Sequence, residues 1–418
     1  MISVRNHRLL LSGNKRLLFA GIVLLAGACS PRLQPKPVVV NTTPAPAPVE
    51  QKATEKPVTK PIPKVTKIAM LLPFGLDNLD PGNTYSAAAL EQANMAMDYY
   101  QGFKLALDSL TAQGYNYKLQ LFDTKDNPAQ AHALAGNPQV KSADLIVGPV
   151  FAEDIKPFIG GSINSHKPEL SPLAPSEPSL FKSSNLITVI PPLDCHAWAA
   201  AEYVNNSVKP KKVLILRSGY GDEVKYITPF RKAIDSLSKK HIAVIQTTVV
   251  HGNLAAIIPQ LSATSTNVFV VPATDQMFLN VTLKSLDTLS RHYPIAVIGH
   301  PSWARFDFLK AEQLQRINTY VTSSERIDYK SAAVMTFMNA YRNAYHISAT
   351  DYAIKGFDEG LYFGKLLAVN GAQLTHLDKN SFVGLHNNFL FAYRPGLGWV
   401  NTHVGLYQYA NFELKPVQ

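Results

Sequence analysis

The chain of 418 residues places one thiol directly beside an imidazole, Cys195 and His196 in the run PPLDCHAW. An adjacent base can draw off a thiol proton and leave a nucleophile. The same run also reads as a helix start behind two prolines, where a thiol is expected to pack as a small apolar group. The twelve histidines are otherwise scattered, and no pair has helical metal-ligand spacing with an acid nearby. None of G-x-x-x-x-G-K-[ST], H-E-x-x-H, G-x-S-x-G or G-x-G-x-x-G occurs, so no catalytic residue, metal or cofactor is expected. A different chemistry, ligand capture, is suggested by DLIVGPVFAED at residues 144–154. There an apolar run ends in Gly148-Pro149 and passes into a helix beginning near Glu153, a strand end followed by free helix N–H groups. The side chains of the turn, Val150, Phe151 and Ala152, offer no polar group.

The elements that must hold such a turn follow from periodicity. KIAMLLPF reads as a buried strand. In MAMDYYQGFKLALDSL, Ala96, Tyr100, Phe103, Leu107 and Leu110 recur at steps of 4, 3, 4 and 3, which predicts a helix. Gly114 stops it, and YKLQLFD gives the next strand. DLIVGP, NLITVIP, KKVLILRS, IAVIQTTVV, NVFVVPA, YPIAVIGH and INTYVTSS repeat the theme, with amphipathic stretches between most of them. Alternating strands and helices predict parallel sheets covered on both faces. A body of about 350 residues is too long for one such core, so two lobes are expected.

In their order these stretches resemble the type I periplasmic binding proteins, in the branched-chain amino-acid-binding branch. IAMLLPF is similar to the opening strand and YYQGFKLALDSLTAQG to the helix after it; DLIVGPVFAED is similar to the Gly-Pro turn after the third strand. PELSPLAPSEPSLFKSSNLITVIPPLDCHAWAAAEYV resembles the crossover into the second lobe, and KKVLILRSGYGDEVKYITPFRKAI that lobe's first strand and helix. ATDYAIKGFDEGLYFGKLL resembles the late helix, with Asp358 expected to support it near the hinge. The resemblance implies a two-lobed α/β fold with three hinge crossovers. Lobe one is placed at 67–192 with 323–378 and lobe two at 193–322 with 379–418, with any ligand between lobes that close by hinge bending.

The resemblance also implies a binding site. Amino-acid-binding relatives have a hydroxyl residue three positions after the proline of the Gly-Pro turn; here that position is Ala152, so a carboxylate would meet only the N–H groups following Pro149, at Val150, Phe151 and Ala152. Ser176 is the nearest hydroxyl in the next turn, displaced by Pro175 from the usual pattern, and is either a ligand contact or a turn cap. Tyr220 in RSGYGDE matches the Tyr-Gly whose ring faces the cleft in relatives, and it reads equally as a surface turn residue. Asp275 in VPATDQ and Trp303 in GHPSW sit at strand ends facing a cleft. The first reads also as a helix cap, the second as a packed ring.

Arg5, Arg8, Lys15 and Arg16 precede an apolar run from Leu17 to Leu25, and Ala26-Gly27-Ala28 then lead to Cys29. Residues 1–28 therefore read as a signal peptide too short to span a membrane. Cys29 after Gly27-Ala28 resembles the lipidated cysteine of bacterial lipoproteins, and Ser30 beside it implies outer-membrane retention more than inner. Residues 29–66 hold nine prolines and form an extended tether with a reach on the order of 100 Å. The formal charge of +10 divides into +4 for the signal, +4 for the tether and +2 for the remainder, so no nucleic-acid partner is implied.

Two roles follow from the resemblance. One is a periplasmic, membrane-anchored solute-binding lipoprotein that captures an amino-acid-like or other small ligand for an ABC permease, and it is placed ahead. The other is an interaction lipoprotein on the same fold, like the activators of peptidoglycan synthases; the tether and Ala152 favour it. Cys29→Ser is expected to leave the protein unprocessed or soluble, because the acyl chains supply the membrane affinity. Fractionation that finds the variant still firmly in membranes would remove the anchor.

Overall fold

Apolar runs without alternation, such as NVFVV and IAVIG, suit strands covered on both faces, and every residue of both is buried. The computed structural model describes residues 64–78, 86–162, 165–175, 177–371 and 374–417. The signal, Cys29, most of the tether and Ser176 lie outside the described residues. Val65 and Thr66, read above as the end of the tether, already belong to the first strand.

The chain begins with β1 (Val65–Leu72), α1 (Ala87–Ala112), β2 (Asn116–Asp123), α2 (Pro128–Ala135), α3 (Pro138–Lys141) and β3 (Leu145–Val147). It continues with α4 (Ala152–Gly161), β4 (Glu169–Ser171) and β5 (Leu186–Thr188). A second set follows: α5 (Leu193–Tyr203), β6 (Lys212–Arg217), α6 (Val224–Leu237), β7 (Ala243–Thr248), β8 (Asn267–Val271), α7 (Gln276–Leu289), β9 (Ile295–Gly299), α8 (Ala311–Arg316) and β10 (Thr319–Ser323). The last set is α9 (Ala332–Tyr345), α10 (Asp351–Asn370), β11 (Phe382–Val383), β12 (Asn388–Phe389), β13 (Phe391–Arg394), β14 (Gly398–Asn401), β15 (Gly405–Ala410) and β16 (Glu413–Pro416).

Two seven-stranded sheets result, in the orders β13-β14-β5-β4-β3-β1-β2 and β16-β15-β10-β9-β8-β6-β7. Each is parallel except at the edge that the late strands supply. The chain passes between sheets three times, at 189–192, after Ser323, and at 402–404. The third passage corrects the expectation that 379–418 belong to lobe two. β14 pairs parallel with β5, and Phe389 and Phe391 pack with Tyr362 and Phe363 in the core of the first sheet. Only β15 and β16 join the second.

Sequence chemistry sets the helix ends. Ser86 caps α1 by accepting from Ala89 N at 3.1 Å, and Asn127 caps α2, with Pro128 behind it supplying no orphan N–H. On α1 the rings of Tyr99 and Phe103 are fully buried, whereas Tyr100 is only partly covered. The reason is α10, which lies against this face with its backbone almost touching α1. A Cβ on Gly102 would overlap the Ala353 carbonyl, one on Gly356 the Tyr99 carbonyl, and one on Gly360 would fall 2.8 Å from Phe103 O. The spacing of Gly356, Gly360 and Gly364 puts them along one side of α10. Gly356→Ala is expected to destabilise the protein by about 3 kcal/mol, because helix backbones and not a flexible side chain must move. Denaturant unfolding checks this, and an unchanged midpoint would contradict the close approach.

Candidate functional site

At the Gly-Pro turn β3 ends against β1, and Gly148, with φ at +89°, leaves no room for a side chain beside Leu71 O. Pro149 and Val150 are buried, and Phe151 packs partly on the same core. Ala152 is exposed and opens α4, whose N-cap residue Phe151 makes no side-chain hydrogen bond. The helix end is nonetheless a poor seat for an anion. Glu153 and Asp154 already occupy its first turn, and the buried Asp154 carboxylate has no hydrogen-bond partner among the described residues. Burial, with smaller effects from Asp126 and Glu153, pushes Asp154 up to about 6.

The remaining residues proposed from sequence are dispersed. Tyr220 is 57% exposed on its turn. That turn is held from below by Glu223, a buried residue the sequence reading passed over, which accepts from Ser218 N at 2.9 Å, Ser218 Oγ at 2.8 Å and Gly219 N at 3.3 Å. Asp275 caps α7 by accepting from Phe278 N at 2.7 Å. Of the two readings of Trp303 the structure has the packed one: the ring is buried over Gly299, and its Nε1–H donates to Ala273 O at 2.9 Å. Cys195 is buried beside Arg394 and Asp194, and burial pushes its thiol up to about 12, which disfavours the nucleophilic thiolate.

A different set of residues forms a cavity of about 520 Å³ between the sheets, beside the crossovers. Leu173, Ile190, Tyr329 and Lys355 come from the first lobe, and His300, Ser302 and Arg305 from the turn after β9. None of the described residues proposed from sequence as ligand contacts lines it, although His196, singled out beside Cys195, does. Several of its polar groups are engaged within the protein. His196 Nδ1 lies 3.0 Å from Thr322 Oγ1, and burial lowers this imidazole to about 4. His300 is lowered to about 4 as well, first by burial and then by Arg305, with Asp222 opposing. Lys355 Nζ meets Glu325 at 2.9 Å. Burial pushes the Glu325 carboxyl up, but Lys355 and neighbouring cations outweigh it and hold it below its usual range.

α10 carries the supports of this cavity. Asp358 accepts three backbone N–H groups, from Leu385 at 2.8 Å, His386 at 2.7 Å and Asn387 at 3.1 Å. Burial outweighs these bonds and raises it to about 6. Glu359 accepts from the Tyr99 hydroxyl at 2.7 Å inside the core, and burial drives both groups well above their ordinary values. The signal for this network was visible as three charges, Lys355, Asp358 and Glu359, among the apolar residues and glycines of 353–364.

No protein-family model matches the chain, and no curated protein matches it in sequence. Solved structures do match. A putative branched-chain amino acid ABC transporter protein from Rhodospirillum rubrum is 13% identical with a TM-score of 0.61, over 85% of this chain and 100% of that one. An ABC transporter substrate-binding protein from Desulfitobacterium hafniense, solved with Leu, is 16% identical with a TM-score of 0.53, over 85% and 100%. The C-domain of LpoA from Haemophilus influenzae, a regulator of PBP1A, is 13% identical with a TM-score of 0.54, over 84% and 100%. At such identities the likeness speaks to the fold: this is the two-lobed α/β type I periplasmic-binding-protein fold.

Lys355→Met strands the Glu325 carboxylate in a largely dry site and is expected to cost on the order of 3 kcal/mol. The double variant Lys355→Met/Glu325→Leu removes both charges and is expected to recover most of that loss in denaturant titration. A double variant as unstable as the single one would show that the pair acts through something other than its charge.

Proposed function

We propose that this chain captures a small solute between its two lobes. The observation that carries the reading is the inter-lobe cavity of about 520 Å³, within the range of roughly 300–1,000 Å³ that small-molecule sites occupy. Both lobes supply its walls, so a ligand there gains contacts only as the lobes approach, which is the differential affinity that hinge closure requires. The Desulfitobacterium hafniense protein, named as an ABC transporter substrate-binding protein and solved with Leu, supports this use of the fold. Residues 1–28 and Cys29 support a lipid-anchored, periplasm-facing location, outer membrane ahead of inner, from which a captured solute passes to an ABC permease.

A second reading is an interaction lipoprotein that engages a peptidoglycan synthase. The exposed Tyr220 and the hydroxyl-free Ala152 favour it, and the Haemophilus influenzae PBP1A regulator shows the fold in a protein so named.

Thermal-shift screening of the full chain with amino acids, organic acids, sugars, sugar phosphates and polyamines tests the first reading. A bound solute at 100 times its Kd adds about 2.7 kcal/mol to stability. Ser324→Trp, which fills the cavity from one crossover, is expected to abolish that gain without lowering the unliganded midpoint. If the solute instead sits on the Gly-Pro turn, Ser324→Trp binds normally, Ala152→Ser binds more tightly and Tyr220→Ala about tenfold more weakly. A chain that no solute stabilises, but that binds a purified synthase, belongs to the second reading.

A further inference from the structure

The hydrogen-bonding groups on the cavity wall are unequally spent, and several unspent ones share the turn after β9 on the second lobe. Ser302 N–H donates to His300 Nδ1 at 3.1 Å, so that nitrogen is unprotonated and the neutral ring carries its proton on Nε2. Arg305, five residues on in the same turn, is exposed, and no carboxylate among the described residues pairs with it. It nevertheless lines the cavity, and its charge acts in the same direction on His196, His300 and Glu325, favouring the neutral imidazoles and the carboxylate. The Ser302 hydroxyl stands between these two donors in sequence and lines the same wall.

The carboxylates on the wall are already engaged. Glu325 is held by Lys355 at 2.9 Å, and Asp351 accepts from the Tyr329 hydroxyl at 2.6 Å. Arg326 is also occupied, donating to Leu414 O and lying 5.1 Å from the centre of the Tyr407 ring. The lining thus holds three cations, Arg305, Arg326 and Lys355, against two carboxylates. The carboxylate nearest to His300 by its influence, Asp222, stands on the exposed turn ahead of α6 and is not part of the wall.

We propose that the cavity recognises an anionic group, a carboxylate or a phosphate, held from the second lobe by Arg305, the Nε2–H of His300 and the Ser302 hydroxyl. The inference rests on the capture reading above and narrows it to solutes that carry a negative charge. A guanidinium fork offers two parallel N–H bonds to either group, and the neutral donors of His300 and Ser302 line the same cavity from the same turn. A cationic solute would find there only donors and like charge.

Calorimetric titration of the full chain with succinate, glycerol 3-phosphate, putrescine and glucose tests the inference. Succinate or glycerol 3-phosphate is expected to bind, the stronger of the two identifying the anion. Arg305→Gln should weaken it about tenfold or more with the unliganded thermal midpoint unchanged, because the side chain is exposed. Arg305→Lys, which keeps the charge, should recover part of the affinity, and added salt should weaken binding to the parent. Putrescine or glucose binding where neither anion does would overturn the anion inference and leave capture standing. Anion binding that Arg305→Gln does not alter would also overturn it, by placing the anion elsewhere. If none of the four binds while a purified synthase does, the capture reading falls and this inference with it.

Discussion

The rest of the structure depends on how closely α10 approaches α1. At Gly102 and Gly356 the two backbones leave no space for a β-carbon, and this draws the flanking turns of α10 out of water. Lys355, Asp358 and Glu359 are buried as a consequence. A buried charge is tolerated only when partnered, and each partner found here lies on a different segment. Lys355 takes Glu325 just after β10, Asp358 takes the backbone of 385–387, and Glu359 takes Tyr99 on α1. Glu325 and Asn387 are themselves joined by an isolated bridge. A packing constraint inside the first lobe thereby becomes a constraint on the segments that connect it to the second.

The second lobe reaches the same place by a different route. Trp303 does not face a ligand, yet its burial fixes the turn that carries His300, Ser302 and Arg305. The ring sits over Gly299 at the end of β9, and its N–H is tied to Ala273 just beyond β8. A buried indole bonded in this way has one position. The residues on either side of it therefore project from a rigid base into the cavity, although they belong to a loop.

Much of the fold could be read in the sequence because parallel strands are apolar throughout and the intervening helices are amphipathic. KIAMLLPF, NVFVVPA and YPIAVIGH needed no long-range information. The third crossover was misplaced because β11 to β14 are two to four residues long, too short for periodicity to distinguish, and their sheet is decided by Phe389 and Phe391 packing on α10. The site was hidden for another reason. Its walls come from residues near 175, 190, 300, 325, 355 and 386, and no local pattern links these. What could be read, and was not weighed, is that charged residues inside an apolar helix must be paired somewhere.

The α4 end of the first lobe and the turn after β9 of the second differ in the sign of the charge they carry. On the first, the α4 end that resembles a carboxylate seat has no hydroxyl at Ala152 and carries Glu153 and Asp154, so the helix dipole is already met by the protein's own anions. On the second, the turn after β9 offers Arg305 with no carboxylate partner among the described residues. Under the proposed anion recognition, a negative solute would meet like charge where the resemblance would put it and a cation on the opposite wall. Tyr220, exposed on its own turn, stands outside this polarity. The helix end without a hydroxyl and the arginine without a carboxylate partner among the described residues thus stand on opposite lobes.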